Sequence, residues 1–193
     1  MIAEQQWIIV RIDGKIASIS TDCRLLSSIT AKLAKDGNVR FNEITARTVS
    51  FSEVWKLRES IRWEDLMLFG TDFQKKVWKK LWELTHPDHE DTAARTSLIS
   101  YSDFADLCQN RAGVRAVAHA IGLNPASILI PCHLVIPKES IDKIDDIKRK
   151  AEATIFKGDD LCINSILNDN SIDFGEYALG RKLKRELIKM ELA

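Results

Sequence analysis

With 193 residues, 45% of them hydrophobic, the chain can form one large domain or two small ones, each with a buried core. No apolar run is long enough to cross a bilayer, and residues 1–7 lack the basic start and apolar stretch of a secretory signal. The expected compartment is therefore the cytoplasm, or the nucleus in a eukaryote, with no membrane partner. Lysine plus arginine balances aspartate plus glutamate at 28 each, so no bulk positive field advertises nucleic acid; only local clusters do, at Arg111 with Arg115 and at Arg181, Lys182, Lys184 and Arg185. The four cysteines, Cys23, Cys108, Cys132 and Cys162, lack CxxC pairing, which argues against a zinc ribbon and a secreted disulfide framework.

In chain order, Trp7-Ile8-Ile9-Val10-Arg11-Ile12, then Asp13-Gly14, then Lys15-Ile16-Ala17-Ser18-Ile19 predict two strands about a tight turn. Short mixed segments continue to about Asp65, so residues 1–65 are expected to form a small α/β domain, followed by a mainly helical domain over 66–193. The fold class is α+β. Thr71-Asp72-Phe73-Gln74 has the form of a capping box, and Phe73, Val77, Trp78, Leu81, Trp82 and Leu84 follow at helical spacing as core.

A second capping box at Ser100-Tyr101-Ser102-Asp103 precedes a helical run from Phe104 to Cys108. A turn at Gln109-Asn110 and a second helix over 111–121, closed by Gly122 in the left-handed position, make a helix-turn-helix candidate. An ordinary helical hairpin fits the same pattern. The second helix carries Ala112, Gly113, Ala116, Ala118 and Ala120, small residues that permit close approach to a groove, and one long cation, Arg115, whose guanidinium can occupy a gap in a base stack.

Ser127-Ile128-Leu129-Ile130 reads as a buried strand delivering Pro131, Cys132 and His133 at its end. Residues 141–151 predict a charged amphipathic helix with Ile141, Ile144 and Ile147 on its apolar side. Lys157-Gly158-Asp159-Asp160 and Asn168-Asp169-Asn170 read as loops, and residues 180–190 as a last helix through Leu183, Leu187 and Ile188, ending close to Glu191.

Cys132 beside His133 is the candidate reaction centre. A thiol attacks as thiolate, so it needs a base or positive dipole to lower its pKa from about 8.5. Neighbours in an extended chain point to opposite faces, so His133 serves Cys132 only across a backbone bend or a bridging water. The imidazolium then wants a carboxylate to orient it. The ordinary alternative is a buried, inert cysteine. A cysteine peptidase is disfavoured, because its base comes from a distant part of the chain.

Asn124-Pro125-Ala126-Ser127-Ile128-Leu129-Ile130-Pro131-Cys132-His133 closely resembles the active-site motif of the O6-alkylguanine-DNA alkyltransferases, also called methylated-DNA-protein-cysteine methyltransferases. The likeness extends through Gly70-Thr71-Asp72-Phe73-Gln74 with Val77-Trp78, through Ser100-Tyr101, through Arg115-Ala116-Val117, and from Tyr177 to Glu191. The resemblance implies DNA repair by irreversible transfer of an alkyl group from O6-alkylguanine, in double-stranded DNA, to Cys132. It implies a helix-turn-helix in the minor groove and a target base turned out of the stack, since chemistry on a base inside a duplex requires extrusion.

By resemblance Arg115 fills the vacated place, with Ser102, Ala112, Gly113 and Ala116 at the same DNA interface. Tyr101 gives a proton to the departing guanine, Asn124 supports the turn and the cysteine, and Glu191 completes a relay with His133 and water. Tyr101, Val135, Tyr177 and Ala178 line the substrate pocket. The sulfur itself receives the group, so no cofactor or metal is expected, and each molecule, a monomer, acts once.

Three departures stand out from the resemblance: Leu134 where relatives carry arginine, Ala178 where serine is common, and an insertion at about 137–176 where relatives have a short loop over the alkyl pocket. Two rival readings are a non-repairing relative that only marks the lesion and a helix-turn-helix transcriptional regulator. Retention of Cys132, His133 and Glu191 together argues against the first.

Overall fold

The computed structural model describes residues 4–21, 42–86, 98–152 and 159–192, and over them the chain is α+β, with five strands and seven α-helices. Cys23 and the Lys157-Gly158 pair lie outside the described residues. The chain divides into two compact units, Met1–Trp82 with Leu123–Cys132, and Glu83–Gly122 with His133–Ala193.

In the first unit β1 (Gln6–Ile12) and β2 (Lys15–Ser20) form the predicted antiparallel hairpin, with a register shift at Val10/Arg11. Asp13 and Gly14 both take positive φ, 48° and 80°, as a two-residue turn that follows the sheet's twist requires. The Asp13 carboxylate accepts the backbone N–H groups of Asn42 and Glu43 at 2.9 Å each, which fixes where β3 (Ile44–Ser50) begins. β3 pairs with the whole of β1, giving the order β2-β1-β3.

Ser50 then caps α1 (Phe51–Ser60): its hydroxyl accepts the Glu53 N–H at 3.3 Å while Glu53 accepts the Ser50 N–H at 2.9 Å. Phe51 lies against buried Trp7. β2 carries the load that matters for function. On it, Ile19 donates to the Pro125 carbonyl at 2.9 Å and bridges Ala126, so the segment leading to Cys132 is bound to a sheet edge by main-chain bonds.

The predicted capping box at Thr71 is present, with Thr71 N–H on Gln74 Oε1 at 2.9 Å and Gln74 N–H on Thr71 Oγ1 at 3.2 Å. It starts α2 (Asp72–Glu83), which buries Val77, Trp78, Leu81 and Trp82. The apolar run 127–130 is buried as expected but is no strand. Ile130 N–H returns to the Ala126 carbonyl at 2.9 Å and Ile128 sits at φ 77°, so the run folds into a tight turn. Its composition encoded burial; pairing across the turn set the conformation.

In the second unit two short strands, β4 (Ile99–Ser100) and β5 (Val135–Ile136), pair in parallel. α3 (Tyr101–Leu107) leaves β4 directly. At Ser100 only half of the expected capping box forms: the hydroxyl accepts the Asp103 N–H at 3.0 Å and donates to the Asp103 carboxylate at 2.6 Å. That bond and then the Lys138 ammonium hold the Asp103 carboxyl below its ordinary range.

α3 ends in a tight reversal, with Gln109 at φ 56°, Asn110 N–H on the Ala105 carbonyl and Gln109 N–H on that of Asp106, both at 2.9 Å. The expected helix over 111–121 opens as a 3-10 turn (Arg111–Gly113) before α4 (Val114–Gly122). Gly122 is not in the left-handed region and ends the helix in open space. Nor do the small residues share one face: Ala112 and Ala116 are exposed, Gly113 and Ala118 half-buried, and Ala120 buried.

Over the described residues between 137 and 176 two helices form. α5 (Lys138–Glu152) extends the predicted amphipathic helix at both ends, and α6 (Asp159–Asn168) begins where a loop was expected at Asp159-Asp160. α7 (Arg181–Leu192) closes the fold.

Gly70 approaches the core too closely for any side chain, since an added Cβ would stand 2.6 Å from Cη2 of buried Trp78. Gly70→Ala should lower stability by about 1–3 kcal/mol through overpacking, read as a lower urea midpoint at unchanged slope. Gly113→Ala should cost less, because its methyl meets only the Asn110 side-chain amide, which can rotate away. An equal or larger loss at Gly113 would contradict this account.

Candidate active site

Cys132 is 5% exposed and ends the first unit's second segment. Asn124 organises the segment from inside the turn. Its Nδ2 donates to the Ile130 carbonyl at 2.8 Å and to Cys132 Sγ at 3.1 Å, while its Oδ1 accepts the Ala126 N–H at 3.0 Å. A thiol sulfur is a weak acceptor and a thiolate a strong one, so an amide N–H aimed at Sγ favours the ionised form. Asn124 thus contacts both the turn and the cysteine sulfur.

Cys132–Leu134 forms a single 3-10 turn, which supplies the backbone bend that extended neighbours lack. His133 opens the second unit's last segment and is fully buried. Its Nε2 lies 2.9 Å from Glu191 Oε1, whose side chain is 5% exposed. An ionised carboxylate can only accept, so the ring nitrogen facing it carries a proton. The Glu191 side-chain carboxylate is thus buried.

Leu134, the residue after His133, is fully buried. The sequence reading missed Lys184. It is fully buried, donates to the Val135 carbonyl at 2.7 Å, and holds its ammonium 5.7 Å from the centre of the Tyr101 ring. A signal was available: Lys184 and Glu191 share the 184, 187, 188, 191 stripe of α7 with buried Leu187 and Ile188. A charge on an apolar stripe is costly unless paired, and here both are paired.

Tyr101, at the first turn of α3, is half-buried, and Val135 is fully buried. Tyr177 is half-buried and Ala178 exposed, in a turn closed by Gly180 N–H on the Tyr177 carbonyl at 2.9 Å. Arg181 clasps Glu176 across that turn and holds its carboxyl below the usual range. The four cations 181, 182, 184 and 185 do not make the basic patch suggested by sequence. Arg181 is bound to Glu176, Lys184 points inward, and Arg185 donates to the carbonyls of Leu167 and Ile172, leaving Lys182 exposed.

On the helix-turn-helix, Ser102, Ala112, Arg115 and Ala116 are exposed, with the Ser102 hydroxyl 2.8 Å from that of Ser100. Arg111 reaches Asp106 at 3.8 Å; among the described residues no carboxylate pairs with Arg115. Among the described residues no group of His, Cys, Asp and Glu could hold a metal ion, and no helix is long and apolar enough to cross a membrane.

Residues 72–153 match the family described as 6-O-methylguanine DNA methyltransferase, DNA binding domain. A probable methylated-DNA–protein-cysteine methyltransferase of Acanthamoeba polyphaga mimivirus is 45% identical over 76 residues, 39% of this chain and 45% of that protein. The inducible methylated-DNA–protein-cysteine methyltransferase of Bacillus subtilis is 44% identical over 69 residues, 36% of this chain and 34% of that one. The aligned part thus spans less than half the length of these curated relatives.

The crystal structure of O6-methylguanine-DNA methyltransferase from Pyrococcus kodakaraensis matches 96% of this chain and 91% of its own at 22% identity and TM-score 0.50, a likeness of fold. Residues 72–153, which hold the Asn124 turn, Cys132 and His133, are thus similar to the DNA-binding domain of the O6-methylguanine DNA methyltransferases.

Proposed function

We propose that this chain repairs DNA by moving the alkyl group of O6-alkylguanine onto its own Cys132, in double-stranded DNA and once per molecule. The observation that carries the reading is a buried sulfur receiving the Asn124 amide at 3.1 Å, followed in the chain by a buried histidine bound to a carboxylate at 2.9 Å. An inert core cysteine needs neither.

In the proposed step the Cys132 proton passes to His133 through a bridging water, and Glu191 stabilises the imidazolium. The thiolate attacks the alkyl carbon, an S–C bond forms as the C–O6 bond breaks, and the electron pair leaves with guanine. Tyr101 supplies a proton to that anion. The thioether has no evident leaving group, so the protein is consumed. Tyr101, Val135, Tyr177 and Ala178 are assigned to the pocket, and Ser102, Ala112, Gly113, Arg115 and Ala116 to the DNA face. Functionally, residues 1–65 are read as the amino-terminal domain and 66–193 as the domain that binds DNA and carries the reaction.

The direct check is intact and peptide mass spectrometry after incubation with a duplex carrying one O6-methylguanine. One added methyl on the Cys132 peptide, absent in Cys132→Ala, is expected; an unchanged mass with the lesion intact refutes the reading. Arg115→Ala should slow transfer from duplex by roughly ten- to a hundredfold, because extrusion costs a few kcal/mol that a stacking guanidinium offsets. Reaction with the free base should hardly change. Equal losses with both substrates remove Arg115 from extrusion.

A further inference from the structure

Glu191 lies in the last turn of α7, and helix ends fray because their final carbonyls lack intrahelical partners. A carboxylate that must stay on His133 therefore needs that turn held from outside. The insertion holds it. Buried Ile188, one turn before Glu191, packs in a cluster with Ile144 of α5, Ile166 and Leu167 of α6, and Ile172 and Phe174 of the segment that follows. Among the described residues, five of the seven buried members of this core lie between 137 and 176, the other two being Ile136 of β5 and Ile188 itself.

A polar latch joins the same elements. Arg185 donates to the Leu167 carbonyl at 2.5 Å and to the Ile172 carbonyl at 3.1 Å, with its guanidinium 4.8 Å from the centre of the Phe174 ring. The Leu167 carbonyl belongs to the last turn of α6, where carbonyls are unpaired and a cation is favoured. The insertion is also closed on itself, with Ser140 Oγ on the Asp173 carbonyl at 2.6 Å and Lys143 Nζ on that of Ser171 at 2.7 Å.

We propose that the 137–176 insertion is a brace for the reaction relay, with Arg185 as the positioning residue that latches α6 to α7 and so keeps Glu191 on His133. Arg185 touches neither base nor sulfur; it acts through Glu191. The brace governs the chemical step and leaves DNA affinity unchanged. Its kinetic consequence rests on the alkyl-transfer reading above, whereas its effect on the His133–Glu191 bond does not.

The test uses the full chain and two readouts. By nitrogen-15 NMR, the His133 Nε2–H resonance, identified by its absence in His133→Gln, should broaden or vanish in Arg185→Ala. In single-turnover transfer at saturating O6-methylguanine duplex, Arg185→Ala should be slower by about tenfold with unchanged DNA affinity. The double variant Arg185→Ala/Glu191→Gln should be no slower than Glu191→Gln alone, since both act on one bond.

An intact resonance in Arg185→Ala, with rate losses that multiply in the double variant, overturns the brace even if thermal stability falls. A wild-type protein that transfers no methyl, yet loses the resonance in Arg185→Ala, sinks the repair reading and upholds the brace. Should Arg185→Ala fail to fold, Ile166→Val, which removes one buried methyl, is judged by the same criteria.

Discussion

The Asn124 side chain is the constraint on which the reaction centre depends. One amide closes the 124–132 turn through Ala126 and Ile130 and spends its remaining N–H on the sulfur. A β-branched residue at φ 77° is a backbone outlier of about 1–3 kcal/mol, and Ile128 is held there by its burial and by the Ala126–Ile130 bond. The sheet contributes by fixing the turn's approach through Ile19 and Pro125. Position and chemistry of the thiol thus share one side chain, and the amide that locates Sγ also stabilises its charged form.

The second unit solves a different problem, that of polar groups kept away from water. His133, Glu191 and Lys184 are all buried, and each such group costs energy unless it is bonded. The histidine and glutamate bond one another through Nε2 and Oε1, and the lysine takes the Val135 carbonyl and lies by the Tyr101 ring. Strand β5 and the first residue of α3 are thereby tied to α7. Partial satisfaction would be worse than an apolar core.

Much of this was legible in the residues, and the illegible part has identifiable causes. Asp13-Gly14 announced the hairpin because few residue pairs accept two positive φ values, and Thr71 with Gln74 announced α2 because the two side chains satisfy each other's backbone. The 127–130 run misled because an apolar stretch encodes burial and not φ. Gln109 holds a left-handed position usually given to glycine, so only geometry shows the reversal. The basic cluster at 181–185 misled because sequence displays charges without their partners: Glu176 and three carbonyls occupy most of it. The burial of Glu191 could have been read from its place on the 184, 187, 188, 191 stripe, although it is one charge in a helix dense with them.

Zero net charge also takes on a meaning under the proposed reading. On the helix-turn-helix, Asp103 and Asp106 balance Arg111 and Arg115, and Arg111 already leans toward Asp106. Phosphate neutralisation supplies most non-specific affinity for DNA, so a face this balanced binds undamaged duplex weakly. What it presents instead is shape: exposed Ala112 and Ala116 allow close approach, and Arg115 beside them is exposed with no carboxylate partner among the described residues. Discrimination then falls on the base that leaves the stack most easily and on the pocket that receives it. A weakly paired alkylated guanine costs less to extrude than its normal counterpart, so a protein used once per molecule is spared long occupancy of sound DNA.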